Sequence, residues 1–334
     1  EYNSHERLPM ASVTKLMCLL IWAEEMEKGT FGMDTVITAT ARANAMDGSV
    51  IWLNVGEEMS AYDMIRSVVI ASANDACVAV CEYITGTEEM FVERMNKRAQ
   101  ELGMSDTHYD NCVGFDSDTH YTSAYDTALL SAAVSEYDCY NEFFATRLDY
   151  VREGERQTQL LNTNKLMQRY DGIIGGKTGT TDNAGCCLAV WAKRGNMKLC
   201  AVALGCKESE QRFTACENLL DYGFSGYELY RISVKDDVLQ PLPVTEGLSK
   251  DVDVRVKRLS TIVIPKGSSK RIEYTHTVTE SLSAPVQYGE KVGEMRASLD
   301  GEEIFYSDIV TTGEVGELNF FSSLCIIISS FFRM

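Results

Sequence analysis

Ser12 and Lys15 stand three residues apart at the head of an apolar run, residues 16–23. At helical spacing a hydroxyl and an amine then share one face and can meet as nucleophile and base. The helix N-terminus adds positive potential and free backbone N–H groups, which favour an alkoxide or oxyanion developing at Ser12. Lys15 leads straight into the apolar run, so burial is expected. Burial and a second cation lower a lysine's pKa and let the neutral amine take the Ser12 proton. A surface lysine beside an ordinary helix-start serine would fit those neighbours poorly. Two more motifs follow, Ser72-Ala73-Asn74 and Lys177-Thr178-Gly179. The first two motifs are individually common, at about one chance match per chain of this length, and the third is rarer. Their weight comes from falling where nucleophilic chemistry needs them.

The elements that must position these groups can be read from spacing. Residues 10–28 form a helix, with Pro9 at its first turn and Gly29 as its stop. Ser60 opens a second helix in capping-box style, running to about residue 70. A third covers 75–84, with Gly86 after it, and a fourth covers 88–102, ended by Gly103. Ser72 and Asn74 thus sit at a helix–helix junction, where a loop can present a hydroxyl and an amide, or where Asn74 or Asp75 simply caps the next helix. Residues 185–193 and 197–205 flank a turn as a hairpin, and 210–222 returns to helical spacing, closed by Gly223. Lys177-Thr178-Gly179 leads into Thr180, Thr181 and Asp182 rather than a helix. It reads as a strand beside a groove, with Gly179 leaving room for a substrate backbone. The same strand disposes of a phosphate-loop reading of Gly175-Gly176-Lys177-Thr178. In that motif position 171 would be glycine and the Lys-Thr would open a helix, whereas residue 171 is Asp171.

The 334 residues carry 49 acidic and 31 basic groups, a net charge of −18, which excludes nucleic acid as a default partner. Residues 1–230 are net −15 and 231–334 net −3. Four of the five prolines lie after residue 230, and ten of the eleven cysteines lie before 217. A boundary at 230–243 follows, and strict alternation at 251–257 with short strands at 261–264, 271–278 and 304–310 marks the second part as all-β. The cysteines show no paired C-x-x-C, and only four histidines accompany them, so they read as buried small hydrophobes. No metal or other cofactor is expected. Residues 1–8 contain no signal peptide, so the chain reads as mature or truncated. Residues 318–332 are uncharged. As a helix they would reach about 22 Å, short of a membrane core of about 30 Å, so they read as a membrane-surface anchor, a clipped transmembrane segment, or a last core helix or strand.

Taken together, the three motifs resemble those of the penicilloyl-serine enzymes, whose S-x-x-K, S-D-N and K-T-G set recurs in β-lactamases and penicillin-binding proteins. The chain is most similar to the low-molecular-mass penicillin-binding proteins that are serine-type D-alanyl-D-alanine carboxypeptidases. The resemblance runs through residues 7–17, 72–75, 102–107, 114–126, 171–185 and 219–224, and through 284–293 (APVQYGEKVG) in the second part.

That resemblance implies an α+β fold. A β-lactamase/transpeptidase-like catalytic domain, an antiparallel sheet with helices on both faces plus a helical subdomain, would occupy 1–230. A small all-β domain would cover 231–312 and a membrane-associating tail 313–334. Ser12 would be the nucleophile, Lys15 its base, Ser72 a proton relay and Asn74 an amide for the substrate backbone. Lys177 would supply electrostatic pull, Thr178 and Arg212 would hold the substrate's terminal carboxylate, and the N–H groups of Ser12 and Thr180 would form the oxyanion hole. The implied partners are a peptidoglycan stem peptide ending in D-Ala-D-Ala, β-lactam antibiotics and a membrane surface. The implied location is the extracytoplasmic face of the bacterial cell membrane. The family places strands of its main sheet before the S-x-x-K helix, and eleven residues precede Ser12, so those strands are expected to be missing and the fragment less stable for the lost edge pairing. Two alternatives differ in kind. A class A β-lactamase needs a deacylating Glu after the second motif, and residues 102–115 contain none. A non-catalytic peptidoglycan-binding scaffold would not need all three motifs intact.

Overall fold

Pro9 and the apolar run after it start a helix in two pieces. A 3-10 turn, Ala11–Thr14, leads into α1, Lys15–Glu27, whose residues from Leu16 to Ala23 are all buried. A helix apolar on every side belongs at the centre of a domain, and α1 runs through the middle of the larger core. In this computed structural model, which describes residues 1–234 and 239–320, the chain divides into two units, 1–224 and 225–334.

In the first unit, α2 spans Ala61–Ala71 and its cap Ser60 accepts the Asp63 N–H at 3.1 Å. It ends at Ser72, and α3, Asn74–Thr85, starts two residues later. Then come α4, Glu88–Glu101, and α5, Ala124–Val134, each capped by a hydroxyl, of Thr87 and Ser123. An antiparallel sheet has the order β1 (Ile173–Thr181), β2 (Gly185–Arg194), β3 (Met197–Cys206). Along β2, Cys187, Ala189 and Trp191 join the core around α1, while Leu188 and Val190 are equally buried on the other face. There α6, Ser209–Gly226, lies over the sheet, its Cys216 thiol 4.0 Å from the Leu188 carbonyl oxygen. The expected stop at Gly223 does not occur. A Cβ at that position would lie 2.5 Å from Leu199 Cδ1, so the glycine serves close helix–sheet packing and the helix continues.

The described residues of the second unit from 227 to 311 are built mainly of β-strands. β4 (Tyr227–Arg231) pairs with β8 (Thr261–Pro265). A three-stranded sheet orders β6 (Asp251–Val252), β5 (Leu242–Thr245) and β10 (Leu282–Ser283). A four-stranded one orders β7 (Val254–Val256), β12 (Glu302–Thr311), β11 (Lys291–Leu299) and β9 (Ile272–Val278). Because β4 pairs with β8, residues 227–231 belong to this unit, and the division falls earlier than the composition shift at 230–243. The alternating stretch 251–257 is two strands in two sheets. It breaks at Asp253, whose carbonyl oxygen accepts the Thr312 N–H at 2.8 Å. From residue 321 on, the segment expected to meet a membrane lies outside the described residues. Among those described, no helix is long and apolar enough to cross a membrane.

Candidate active site

Every residue from Met10 to Ala23 is buried except Ser12, which is half-exposed. Ala11 before it has φ +49°, a left-handed conformation uncommon for a residue with a Cβ. Two backbone approaches force this. A Cβ on Gly114 would lie 1.9 Å from the Ala11 carbonyl oxygen, and one on Gly179 would lie 2.7 Å from Met10 O and 2.9 Å from Ser12 N. The turn is therefore clasped between a loop glycine and a strand glycine. The room expected for substrate at Gly179 is filled by the nucleophile's own turn.

A buried histidine braces the turn from below. The Thr14 hydroxyl donates to Ala11 O at 2.8 Å, so it must accept from His120 Nε2, also at 2.8 Å, while His120 Nδ1 accepts the Asp110 N–H at 3.0 Å. Both bonds together require the neutral ring with its hydrogen on Nε2. Burial holds its pKa down to about 4. An unfolded histidine binds its proton near 6.5, so this group's stabilisation is complete above that pH and is lost as pH falls toward about 4, by roughly 3 kcal/mol in all. Urea unfolding of wild type and His120→Gln over this range should show a steeper acid loss in wild type. Equal slopes would refute the argument.

Lys15 is fully buried, and its Nζ has three partners: Ser12 Oγ at 2.9 Å, Asn74 Oδ1 at 2.7 Å and Val113 O at 2.7 Å. The amide of Asn74 is oriented by its Nδ2, which donates to Asp47 O at 2.6 Å. Oδ1 of Asn74 and the Val113 carbonyl can only accept. A neutral amine has two hydrogens for them and one lone pair, which must then face Ser12. Burial lowers the pKa of Lys15 and so favours that neutral form.

Lys177 comes from β1 and is also buried; its Nζ donates to Ser72 Oγ at 2.8 Å and to Thr178 O at 3.0 Å. Burial, and after it the charge of Lys15, push its pKa well below that of an ordinary lysine. Ser72 holds a left-handed conformation, φ +64°, at the end of α2. The Thr178 hydroxyl lies 2.6 Å from Thr163 Oγ1. The five predicted catalytic groups thus form two directly bonded sets, Ser12–Lys15–Asn74 and Ser72–Lys177, joined through the two-residue step from Ser72 to Asn74.

Arg212 on α6 is buried rather than a surface cation. Its Nη1 donates to Gly179 O at 2.8 Å, Thr180 Oγ1 at 3.0 Å and Cys187 O at 3.1 Å, which puts the guanidinium behind the exposed Thr180. Several positioning groups escaped the sequence reading. Asp75 accepts the N–H groups of Ile51 and Leu53 at 3.0–3.1 Å, and Asn74 N donates to Ser49 O at 2.6 Å, so these neighbours together fix the wall at residues 47–53. Asn111 Oδ1 gathers the N–H groups of Val113, Gly114 and Phe115 and shapes the loop that supplies Val113 O. His120, Thr163 and Gly114 were also missed. Only the glycine carries a signal in its residue type.

Known proteins resemble most of this chain. The family profile described as D-alanyl-D-alanine carboxypeptidase matches residues 1–208, and one described as penicillin-binding protein 5, C-terminal domain, matches 227–317. The chain is 35% identical over 324 residues to D-alanyl-D-alanine carboxypeptidase DacF of Bacillus subtilis, covering 96% of this chain and 83% of that one. It is 30% identical to D-alanyl-D-alanine carboxypeptidase DacC of Escherichia coli, covering 96% and 82%. Among solved structures, penicillin-binding protein 5 of Haemophilus influenzae superposes with a TM-score of 0.82 at 27% identity, covering 94% of this chain and 92% of that one.

Proposed function

The chain belongs to the D-alanyl-D-alanine carboxypeptidase family, and from that premise we propose that Ser12 is the nucleophile that cleaves the bond between two terminal D-alanines. The protein is a serine-type carboxypeptidase that removes the last D-alanine from peptidoglycan stem pentapeptides through an acyl-enzyme, and it is acylated by penicillins. Ser12 Oγ attacks the carbonyl carbon as its proton passes to the lone pair of Lys15, and the carbonyl oxygen gains the charge. The Ser12 and Thr180 N–H groups receive that oxyanion. Ser72, bonded to Lys177, passes its O–H proton to the departing D-alanine nitrogen and takes in its place the proton held by Lys15, which is then neutral again to accept a proton from the water that hydrolyses the ester on Ser12. Asn74 serves this chemistry as the amide that orients Lys15.

At the carboxylate end, Arg212 supplies positive charge, and Lys177, whose charged form burial disfavours, gains its charge as the substrate's carboxylate enters beside it. Reversal of the Thr163–Thr178 pair, with Thr163 donating, frees the Thr178 O–H for the substrate. The single observation that carries this reading is Lys15 Nζ at 2.9 Å from Ser12 Oγ with its other two partners confined to acceptors. A lactamase reading lacks its carboxylate. In residues 102–115, Asp106 is engaged by Arg7 and His5, and Asp110 by Thr119 and Ser117.

A fluorescent penicillin followed by mass spectrometry should place the label on the peptide containing Ser12, and Ser12→Ala should abolish it. Undiminished labelling of that variant would overturn the assignment. Release of D-alanine from a soluble pentapeptide separates a peptidase from a scaffold, which would label without turnover.

Relatives of this kind act on the cell wall, outside the cytoplasm, and residues 313–334 would hold this one at the extracytoplasmic membrane surface. The uncharged stretch at 318–332 supports that placement. Removing it should abolish sedimentation with lipid vesicles and leave pentapeptide turnover intact; sedimentation unchanged by the truncation would exclude the tail as the anchor.

A further inference from the structure

Lys15 and two of the groups that hold its Nζ, Asn74 and Val113, each have a cysteine close by in the chain. Cys18 lies one turn after Lys15 on α1, Cys77 one turn after Asn74 on α3 with Cys81 a turn beyond, and Cys112 stands next to Val113 in the loop. All four are fully buried free thiols. The sulfurs of Cys18, Cys77 and Cys81 lie within 4.8 Å of one another, and Cys112 borders this group through its backbone. Their protons are shared loosely. Cys18 and Cys77 point at the same acceptor, Cys112 O, at 3.1 and 3.5 Å, and the Cys112 thiol faces Glu88 Oε1 at 3.5 Å. The spacing along the chain argued against a metal. The fold nevertheless gathers four soft donors from two helices and a loop, the pattern of a closed structural site.

We propose that Cys18, Cys77, Cys81 and Cys112 bind one thiophilic divalent ion of the zinc class beneath the Lys15 cradle. Four thiolates about 2.3 Å from such an ion stand about 3.8 Å apart, so the three sulfurs already within 4.8 Å need only a small closure, and the Cys112 side chain would turn from Glu88 to complete the tetrahedron. Thiolate donors select zinc or cadmium over magnesium or calcium. Loading exchanges four thiol protons, released to solvent, for four metal–sulfur bonds and leaves a dianionic centre, with no change of oxidation state. The ion would tie α1, α3 and the Val113 loop together, which are the elements that hold Ser12, Lys15 and Asn74 in register. This inference does not depend on the peptidase reading.

Cadmium alone is the probe, added to the full chain kept reduced. A thiolate-to-cadmium charge-transfer band should grow and saturate at one ion per chain, zinc should compete it away, and saturation should raise the melting temperature by about 5 °C or more. Cys18→Ala and Cys81→Ala should each weaken the band and the thermal shift, and the double variant should lose both while still taking a penicillin label, which reports that it is folded. Cys139→Ala, an exposed thiol elsewhere, should change nothing. Absence of the band in the unaltered chain overturns the proposal whatever the variants do. A band of full strength in the folded double variant, or a disulfide between any two of the four, does the same.

Discussion

Lys15→Met is expected to leave the chain folded and to slow acylation of Ser12 by penicillin about 10³- to 10⁴-fold. Methionine matches the length of the lysine stem and fills the same buried channel, so no cavity opens. The change strips Asn74 Oδ1 and Val113 O of a donor, at about 1–3 kcal/mol each. It also removes a group whose charged form is costly to bury, which offsets part of that loss. What has no substitute is the lone pair facing Ser12 Oγ. Wild-type acylation should rise with pH along one limb, because Lys15, its pKa lowered by burial, must lose its proton to act. That limb should be missing in the variant. Time courses of covalent labelling with thermal melts on the same samples decide the matter. Labelling within tenfold of wild type, with an intact melt, would mean that Lys15 is not the base.

The parts of this site that were legible in the sequence are those whose partners are local. Ser12 and Lys15 are three residues apart on one helix, and their spacing is their contact. Ser72 and Lys177 are bonded across 105 residues, and nothing in either motif alone foretells that bond. Val113 contributes a carbonyl oxygen, which every residue possesses, so its type carries no message. His120 looked like a scattered histidine because its role depends on Thr14 meeting it through the core. The strand containing Lys177 was legible, and what occupies the space at Gly179 was not, since a missing Cβ announces a close approach without naming the visitor. Gly223 shows the same ambiguity from the other side: a glycine read as a helix stop admits Leu199 instead. In the second unit, alternation correctly signalled strands but could not show that one run feeds two sheets, which the Thr312 contact to Asp253 decides. The cysteines repeat the lesson, scattered along the chain and gathered by the packing of α1 against α3.

The clasp around the nucleophile turn carries the second large expectation, because Gly114→Ala should cost on the order of 3–5 kcal/mol of stability and at least about 10²-fold in acylation. Gly114 has φ +95°, which already strains any residue with a Cβ, and the added methyl would sit 1.9 Å from Ala11 O and 2.2 Å from Ala11 C. Relief has to come from one side or the other. The loop is held by Asn111, which accepts the Gly114 N–H at 2.7 Å, and a shift of Val113 would pull its carbonyl from Lys15. The turn is held by the Thr14 hydroxyl on Ala11 O and by β1 pressing at Gly179. Either movement displaces Ser12 from Lys15, so stability and acylation should fall together. Gly29→Ala separates this from the general cost of a left-handed alanine. Gly29 has φ +74° with nothing within 4 Å of its would-be Cβ, so that variant should lose only about 1–2 kcal/mol and acylate normally. If Gly114→Ala melts like Gly29→Ala and takes the penicillin label at the wild-type rate, the turn is held by something other than the two glycines, and the left-handed Ala11 needs a different cause.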